Sequence, residues 1–296
     1  MRTESQMMEL ILSTAREDGR IRAVYCNGSR TNPNVPRDFF QDFDIVYVVT
    51  EIASFRADPH WIDRFGPVAV MQEPDSPIFD DPQTDPENRY AYLMQFEDGN
   101  RIDLSLQTIG FSFSAYLSDP LTLPLLDKDG ILPQIPPPSD RAYWVKRPSQ
   151  NQLRACANEF WWVSTYVAKG LWRREMLYAL DHLNLYVRPQ LICLLSWYAG
   201  CQTQFSVSVG KNGKYLDRYL PRREWDALLR TYPAADRAAV WDALFAACQL
   251  FSQVHPLVAQ ALGYPYDPQE GRRTTAYLHR VHALPDDALS FDDAEK

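Results

Sequence analysis

The stretch PQIPPPSDRAYWVKRPS, residues 133–149, carries five prolines. Proline fixes φ and has no backbone N–H, so neither a helix interior nor a central strand runs through such a segment. The chain therefore divides there, and the two sides differ in kind. Before the break, short runs rich in Val, Ile, Tyr and Phe alternate with turns. After it, apolar residues recur every three or four positions over long spans, which is the helical period. With 296 residues the chain is long enough for two domains of ordinary size. The expected division is an α/β domain over 1–135, a helical domain over 150–265 and a polar, partly extended tail over 266–296.

Within the first part, residues 4–18 predict an amphipathic helix with Met7, Met8, Ile11, Leu12 and Ala15 on one stripe. Strands are expected at 21–27, 43–50, 67–72, 90–98 and 100–107, the last two joined by a hairpin turn at Asp98-Gly99. Residues 73–88 hold four prolines and six acidic residues and read as an exposed loop. Residues 123–132 suggest a further short hairpin. In the second part, helices are expected at 151–173, 175–201, 222–232 and 233–263, with Pro189 kinking or dividing the second of these.

Composition narrows the function. Apolar residues make up 46% of the chain, enough for packed cores. No apolar run reaches the roughly 18–20 residues that span a bilayer, and the N-terminus lacks the apolar centre of a signal peptide. No membrane role is expected. Five scattered cysteines without a CxxC pair argue against a disulfide framework or a zinc site and suit a reducing cytoplasm. The net charge of −8 makes nucleic acid a poor partner and suits a cationic small molecule better.

The strand at 43–50 opens with Asp42-Phe43-Asp44, just after a Gly28-Ser29 turn. Residues i and i+2 of a strand share a face, so Asp42 and Asp44 point together. Two carboxylates so close are unfavourable unless a proton or a cation lies between them. A hard ion such as Mg²⁺ takes oxygen ligands of this kind and keeps sites for water and phosphate. Asp103 stands among Ile102, Leu104 and Leu106 and points opposite to them. If its strand lies beside that of Asp42 and Asp44, three carboxylates converge. Two ions bound there would clamp both oxygens of an in-line phosphoryl displacement. Gly28 allows close backbone approach, Ser29 offers a hydroxyl to phosphate, and Arg30 adds a bidentate phosphate donor. Taken singly, D-x-D reads as a solvated strand edge and Gly-Ser as a turn. The ordered set of strand, Gly-Ser, D-x-D, apolar strand and later isolated Asp is far more specific.

Through these residues the chain resembles the polymerase-β-type nucleotidyltransferases, and within them the aminoglycoside 6-adenylyltransferases (streptomycin adenylyltransferases). The likeness runs over roughly residues 5–265. It is carried by NGSRTNPNVPRDFFQDFDIVYVVT, FEDGNRIDLSL, LLDKDG, NEFWWVSTYVAKGLWRREMLYALDHL, LLSWYAG and GKNGKYLDRYL. The resemblance implies an α+β fold: an N-terminal nucleotidyltransferase domain with a mixed β-sheet flanked by helices, then a C-terminal helical bundle. It implies an enzyme that moves AMP from ATP onto an aminoglycoside hydroxyl, the 6-hydroxyl of streptomycin, releasing pyrophosphate and conferring resistance. By the same resemblance Asp42 and Asp44 hold Mg²⁺, Gly28 and Ser29 cradle the triphosphate, and Asp103 is either a third metal ligand or the general base.

In the helical half, Glu159 and Trp162 share a face with Tyr166 one turn on. An acid beside aromatic rings suits a guanidinium or ammonium group, although most tryptophans of a helical domain belong to its core. Asp181, with His182 beside it, is a similar candidate. Lys169 and the Gly-rich turn bearing Lys211 and Lys214 are expected contacts of the triphosphate; the same lysines also read as solvated turn residues. The five histidines show no ligand spacing. DKDG at 127–130 lacks the remaining ligands of a calcium loop and reads as a turn. Glu159 and Asp181 stand beside Asp103 as alternatives for the base. Two other functions suit the same residues: adenylylation of a protein, as in antitoxin-type relatives, and nucleotide binding without catalysis. The aromatic helical half argues against the first and the intact aspartates against the second. The protein is expected to act as a monomer or homodimer.

Overall fold

The computed structural model describes residues 1–79 and 81–295, in two compact units, Met1–Ala142 and Tyr143–Lys296. Asp80, in the 73–88 loop, and Lys296, at the end of the tail, lie outside the described residues.

The first unit is built on a six-stranded mixed sheet in the order β3-β4-β5-β2-β1-β6. Its strands are β1 (Ile21–Cys26), β2 (Phe43–Val49), β3 (Val68–Gln72), β4 (Arg89–Phe96), β5 (Arg101–Thr108) and β6 (Leu123–Asp127). All neighbours are antiparallel except β2 and β5, which run parallel. The period of two divides each strand between two faces. Val24, Cys26, Phe43, Ile45, Tyr47, Ile102, Leu104 and Leu106 turn to one face. There they meet Met7, Ile11 and Ala15 of helix α1 (Glu4–Glu17) and Phe55, which lies in the one-turn helix α2 (Ala53–Arg56). Thr3 starts α1 through a reciprocal box with Gln6, each side chain bonding the other's backbone N–H. The Tyr47 hydroxyl ties the helix to the sheet by donating to the Ile11 carbonyl at 2.6 Å. The opposite face is apolar over only part of its area: Ala23, Tyr25, Val46 and Val48 pack with Tyr116 of helix α3 (Ile109–Ser118). Asp44 and Asp103 occupy the strand-start end of that face, where no apolar layer covers them.

One reading of this half changes. Residues 123–132 form no hairpin of their own; β6 pairs with β1, and the Asp127 carboxylate accepts from the N–H groups of Asp129, Ile131 and Leu132 to close the DKDG turn. The acidic 73–88 segment is pinned to β4: buried Asp75 accepts from the Ala91 N–H at 2.8 Å, and the Tyr90 hydroxyl donates to Glu73 at 2.7 Å.

The second unit is helical: α4 (Gln150–Trp172), α5 (Met176–His182), α6 (Arg188–Gln202), α7 (Arg222–Leu229), α8 (Arg237–Leu262) and α9 (Gln269–Ala283). Ser149 and Gln152 box the start of α4, Asp236 caps α8, and Gly263 ends α8 in the left-handed region at φ 75°. Phe160 of α4 stacks on Phe251 of α8 with centroids 4.0 Å apart, and Trp161 meets both edge-on. Pro189 divides the long 175–201 stretch. It cannot donate to the carbonyl one turn back, and the backbone just before it, Leu183–Val187, widens into a π-turn before α6 begins. The C-terminal residues are not an extended tail. Helix α9 buries Leu278 and Val281, and Gly271 lets its backbone lie against the Trp161 ring, where a Cβ would come within 2.9 Å. Its apolar positions are few, so the polar composition concealed the helix. Among the described residues no helix is long and apolar enough to cross a membrane.

Candidate active site

Strand β1 ends at Cys26 and the chain turns sharply through Gly28-Ser29-Arg30. Gly28 sits at φ +75°, a region that L side chains rarely adopt. A Cβ there would overlap the Asp44 carboxylate, so this position is glycine on two counts. The Asn27 N–H donates to the Asp44 carbonyl at 2.9 Å, and its side-chain amide donates to Asp119 and Thr122, each at 2.9 Å. These bonds fix the turn against the start of β2.

Asp44 on β2 stands directly across from Asp103 on β5. Partners in register on adjacent strands share a face, so the two carboxylates point the same way, with Asp42 two residues before Asp44. Burial, then the charges of Asp103 and Asp42, push the Asp44 carboxyl up to about 6, against the opposing pull of Arg101 and Arg30. Arg101, two residues before Asp103 on the same face, grips it bidentately at 2.7 and 2.8 Å and reaches Asp42 at 3.7 Å. Neighbouring Cys26 is pushed up to about 12 by burial and by Asp44, so its thiol stays protonated and is no nucleophile.

Gly28, Ser29, Asp42, Asp44 and Asp103 are thus gathered at one end of one sheet face. Arg30 departs from its expected role as a phosphate donor. It is 7% exposed; its guanidinium donates to the carbonyls of Gln41 (2.6 Å) and Asp42 (3.3 Å), pairs with Glu4 (3.0 Å) and stacks over Phe43. It braces the 28–42 loop instead. Gln41 adds to the brace by donating to the Ser29 carbonyl, while its own buried Oε1 has no hydrogen-bond partner.

In the helical unit, Glu159 is half-buried on α4, Trp162 is 59% exposed, and Asp181 is exposed on α5. Trp162 meets Tyr166 with ring centroids 5.9 Å apart. Tyr166 in turn touches His182, which also packs on Tyr178 and Tyr186. Lys169 lies over the Tyr166 ring at 4.7 Å, within the same aromatic group. Lys211 and Lys214 lie elsewhere, in a tight turn with Gly210, Asn212 and Gly213 all at positive φ; Lys214 lies over Tyr215. The sequence reading did not single out Arg101, Asn27 or Gln41. Arg101 was within reach of the i, i+2 rule that paired Asp42 with Asp44; the other two act through tertiary contacts that no local pattern announces.

Asp42 and Asp44 offer the oxygen ligands that a hard divalent cation takes, one or two carboxylates sufficing where phosphates supply the rest; among the described residues no group of three or more His, Cys, Asp or Glu is itself placed to hold a metal ion. The streptomycin adenylyltransferase family model matches residues 1–281. The chain belongs to the streptomycin adenylyltransferase family. It is 42% identical to an aminoglycoside 6-adenylyltransferase of Bacillus subtilis (strain 168), over 95% of this chain and 99% of that protein. The enzyme of the same name from Campylobacter jejuni is 39% identical over 95% and 96%, and that from Staphylococcus aureus 36% identical over 91% and 95%. A solved structure of an aminoglycoside 6-adenyltransferase from Bacillus subtilis aligns at 37% identity and TM-score 0.47, covering 95% of this chain and 99% of that one.

Proposed function

We propose that the protein transfers AMP from ATP to a hydroxyl of an aminoglycoside, the 6-hydroxyl of streptomycin, and releases pyrophosphate. Family membership and the names of its relatives support the reading. The observation that carries it is the register of β2 and β5, with Asp44 facing Asp103 beside a Gly-Ser turn.

In this reading Asp42 and Asp44 would hold Mg²⁺, with Asp103 either a third ligand or the general base, and the ion would neutralise charge on the phosphates. Gly28 and Ser29 present backbone N–H groups and a hydroxyl to the triphosphate. A carboxylate takes the proton of the attacking sugar hydroxyl: Asp103, opposite Asp44 in register, with Glu159 and Asp181 as the alternatives. The new bond joins the sugar oxygen to the α-phosphorus, the bond from that phosphorus to the bridging oxygen breaks, and pyrophosphate leaves with the electron pair. Positioning and fixed charges supply most of the rate. Lys169, Lys211 and Lys214 are proposed contacts of the nucleotide. Glu159 and Asp181, with the Trp162 ring, are the proposed contacts of the guanidinium groups of a streptomycin-type sugar. An ATP-consuming reaction of this kind belongs in the cytoplasm, and all five cysteines are free thiols.

The test is mass spectrometry of an aminoglycoside panel after incubation with the protein, ATP and Mg²⁺. Streptomycin gaining one adenylyl group is the expected result. No adduct on any member, from protein that binds ATP, would defeat the reading.

A further inference from the structure

Arg101 stands where a cation would. Its guanidinium holds both oxygens of Asp103 and reaches toward Asp42, on the face that Asp44 shares. Strand β5 makes this geometry unavoidable, because residues two apart project from the same side. The contact is a parallel pair of charge-assisted bonds, the strongest form that an arginine makes with a carboxylate. Arg101 is itself substantially exposed, with 41% of its side chain open to solvent.

We propose, resting on the metal-site reading above, that Arg101 is a resident counter-cation that competes with the divalent ion for Asp103. While the guanidinium grips Asp103, one lone pair on each carboxylate oxygen is taken, and the charge that would draw an ion or a proton is partly neutralised. Arrival of a doubly charged ion beside Asp42 and Asp44 outbids the grip and frees it. Arg101 is then a positioning residue: it sets how tightly the ion is held and when Asp103 enters the site.

The experiment is titration of the full-length protein with Mn²⁺ alone, without nucleotide, followed by the electron paramagnetic resonance signal of the free ion. Arg101→Lys keeps the charge but loses the planar fork. If the fork is the competitor, Arg101→Lys binds Mn²⁺ roughly three- to tenfold more tightly than wild type. On an Asp103→Asn background the same change has no effect, because the group competed for is gone. Circular dichroism confirms that each variant is folded. Equal or weaker Mn²⁺ affinity in Arg101→Lys overturns the inference while leaving the metal site standing. Failure of wild type and every variant to bind Mn²⁺ overturns the metal reading itself, and the inference with it. Binding by Arg101→Lys but not by wild type supports both.

Discussion

The two units solve opposite problems. The helical unit buries one continuous apolar core, with Phe160 stacked on Phe251 and Trp161 closing over both. Its strained residues, Arg174, Gln204, Phe205 and Asn212 at positive φ, lie between its long helices. The sheet unit has a comparable core on the α1 face of its sheet. On the other face it sets Asp44 opposite Asp103, with Asp42 two residues before Asp44 and a glycine at positive φ against the Asp44 carboxylate. Features of that kind destabilise, and proteins tolerate them where chemistry needs them. The contrast predicts that substitutions in the two places will separate function from stability.

The sharpest separation is expected at Asp44. If Asp44 holds the divalent ion as proposed, Asp44→Asn should lower adenylyl transfer by roughly three orders of magnitude or more, since it removes a charged ligand of that ion. The same change should raise stability. The Asp44 carboxyl is held above its ordinary value, up to about 6, so the folded state binds its proton more tightly than the unfolded chain does. Its contribution is therefore fully present below about pH 4 and is lost as pH rises through about 6. Above that pH, Asn relieves a penalty of up to roughly 3 kcal/mol. Denaturant melts of both proteins at pH 8 and pH 4 test this: the gain should appear at pH 8 and vanish at pH 4. A loss of stability at pH 8 would mean that the site is not strained in this way.

Phe160→Ala is the converse. It should cost about 3–5 kcal/mol of stability, as large-to-small changes in a tight core do. Any fall in transfer should track the unfolded fraction and recover on cooling the assay. Gly28→Ala lies between the two. It should cost about 1–3 kcal/mol for the forced positive φ and the clash with Asp44, and should abolish transfer even in the fraction that remains folded. Thermal melts and single-turnover assays on the same preparations distinguish it from Phe160→Ala.

The same contrast explains what could be read from the letters. Strands β1, β2, β4 and β5 were legible because alternation and β-branched residues announce them. The convergence of Asp103 with Asp44 followed from face alternation plus one assumption, that their strands are neighbours, which the parallel β2–β5 pairing supplies. Gly-Ser-Arg suggests phosphate contact by Arg30, whereas the partners it has, Glu4, Gln41 and Phe43, are tertiary neighbours that no local pattern announces. Helix α9 was missed because Gly271, Leu278 and Val281 make a stripe too sparse to stand out from its charged neighbours. Polar satisfaction and sparse packing are set by the whole fold; periodicity records only the local part.

The smallest expected effects test whether the two units are energetically as separate as they are compositionally. Each opens its first helix with the same reciprocal box, Thr3 with Gln6 and Ser149 with Gln152. Thr3→Ala and Ser149→Ala should each cost about 1 kcal/mol. Seven of the eight tryptophans fall within Tyr143–Lys296, and only Trp61 lies in the first unit. Tryptophan fluorescence therefore follows mainly the helical unit, while far-ultraviolet circular dichroism follows both. If the units unfold separately, Ser149→Ala shifts the fluorescence midpoint and Thr3→Ala leaves it where it was. If both substitutions move it equally, the chain unfolds as one cooperative body, and the strain stored around Asp44 is borne by the helical core as well as by the sheet.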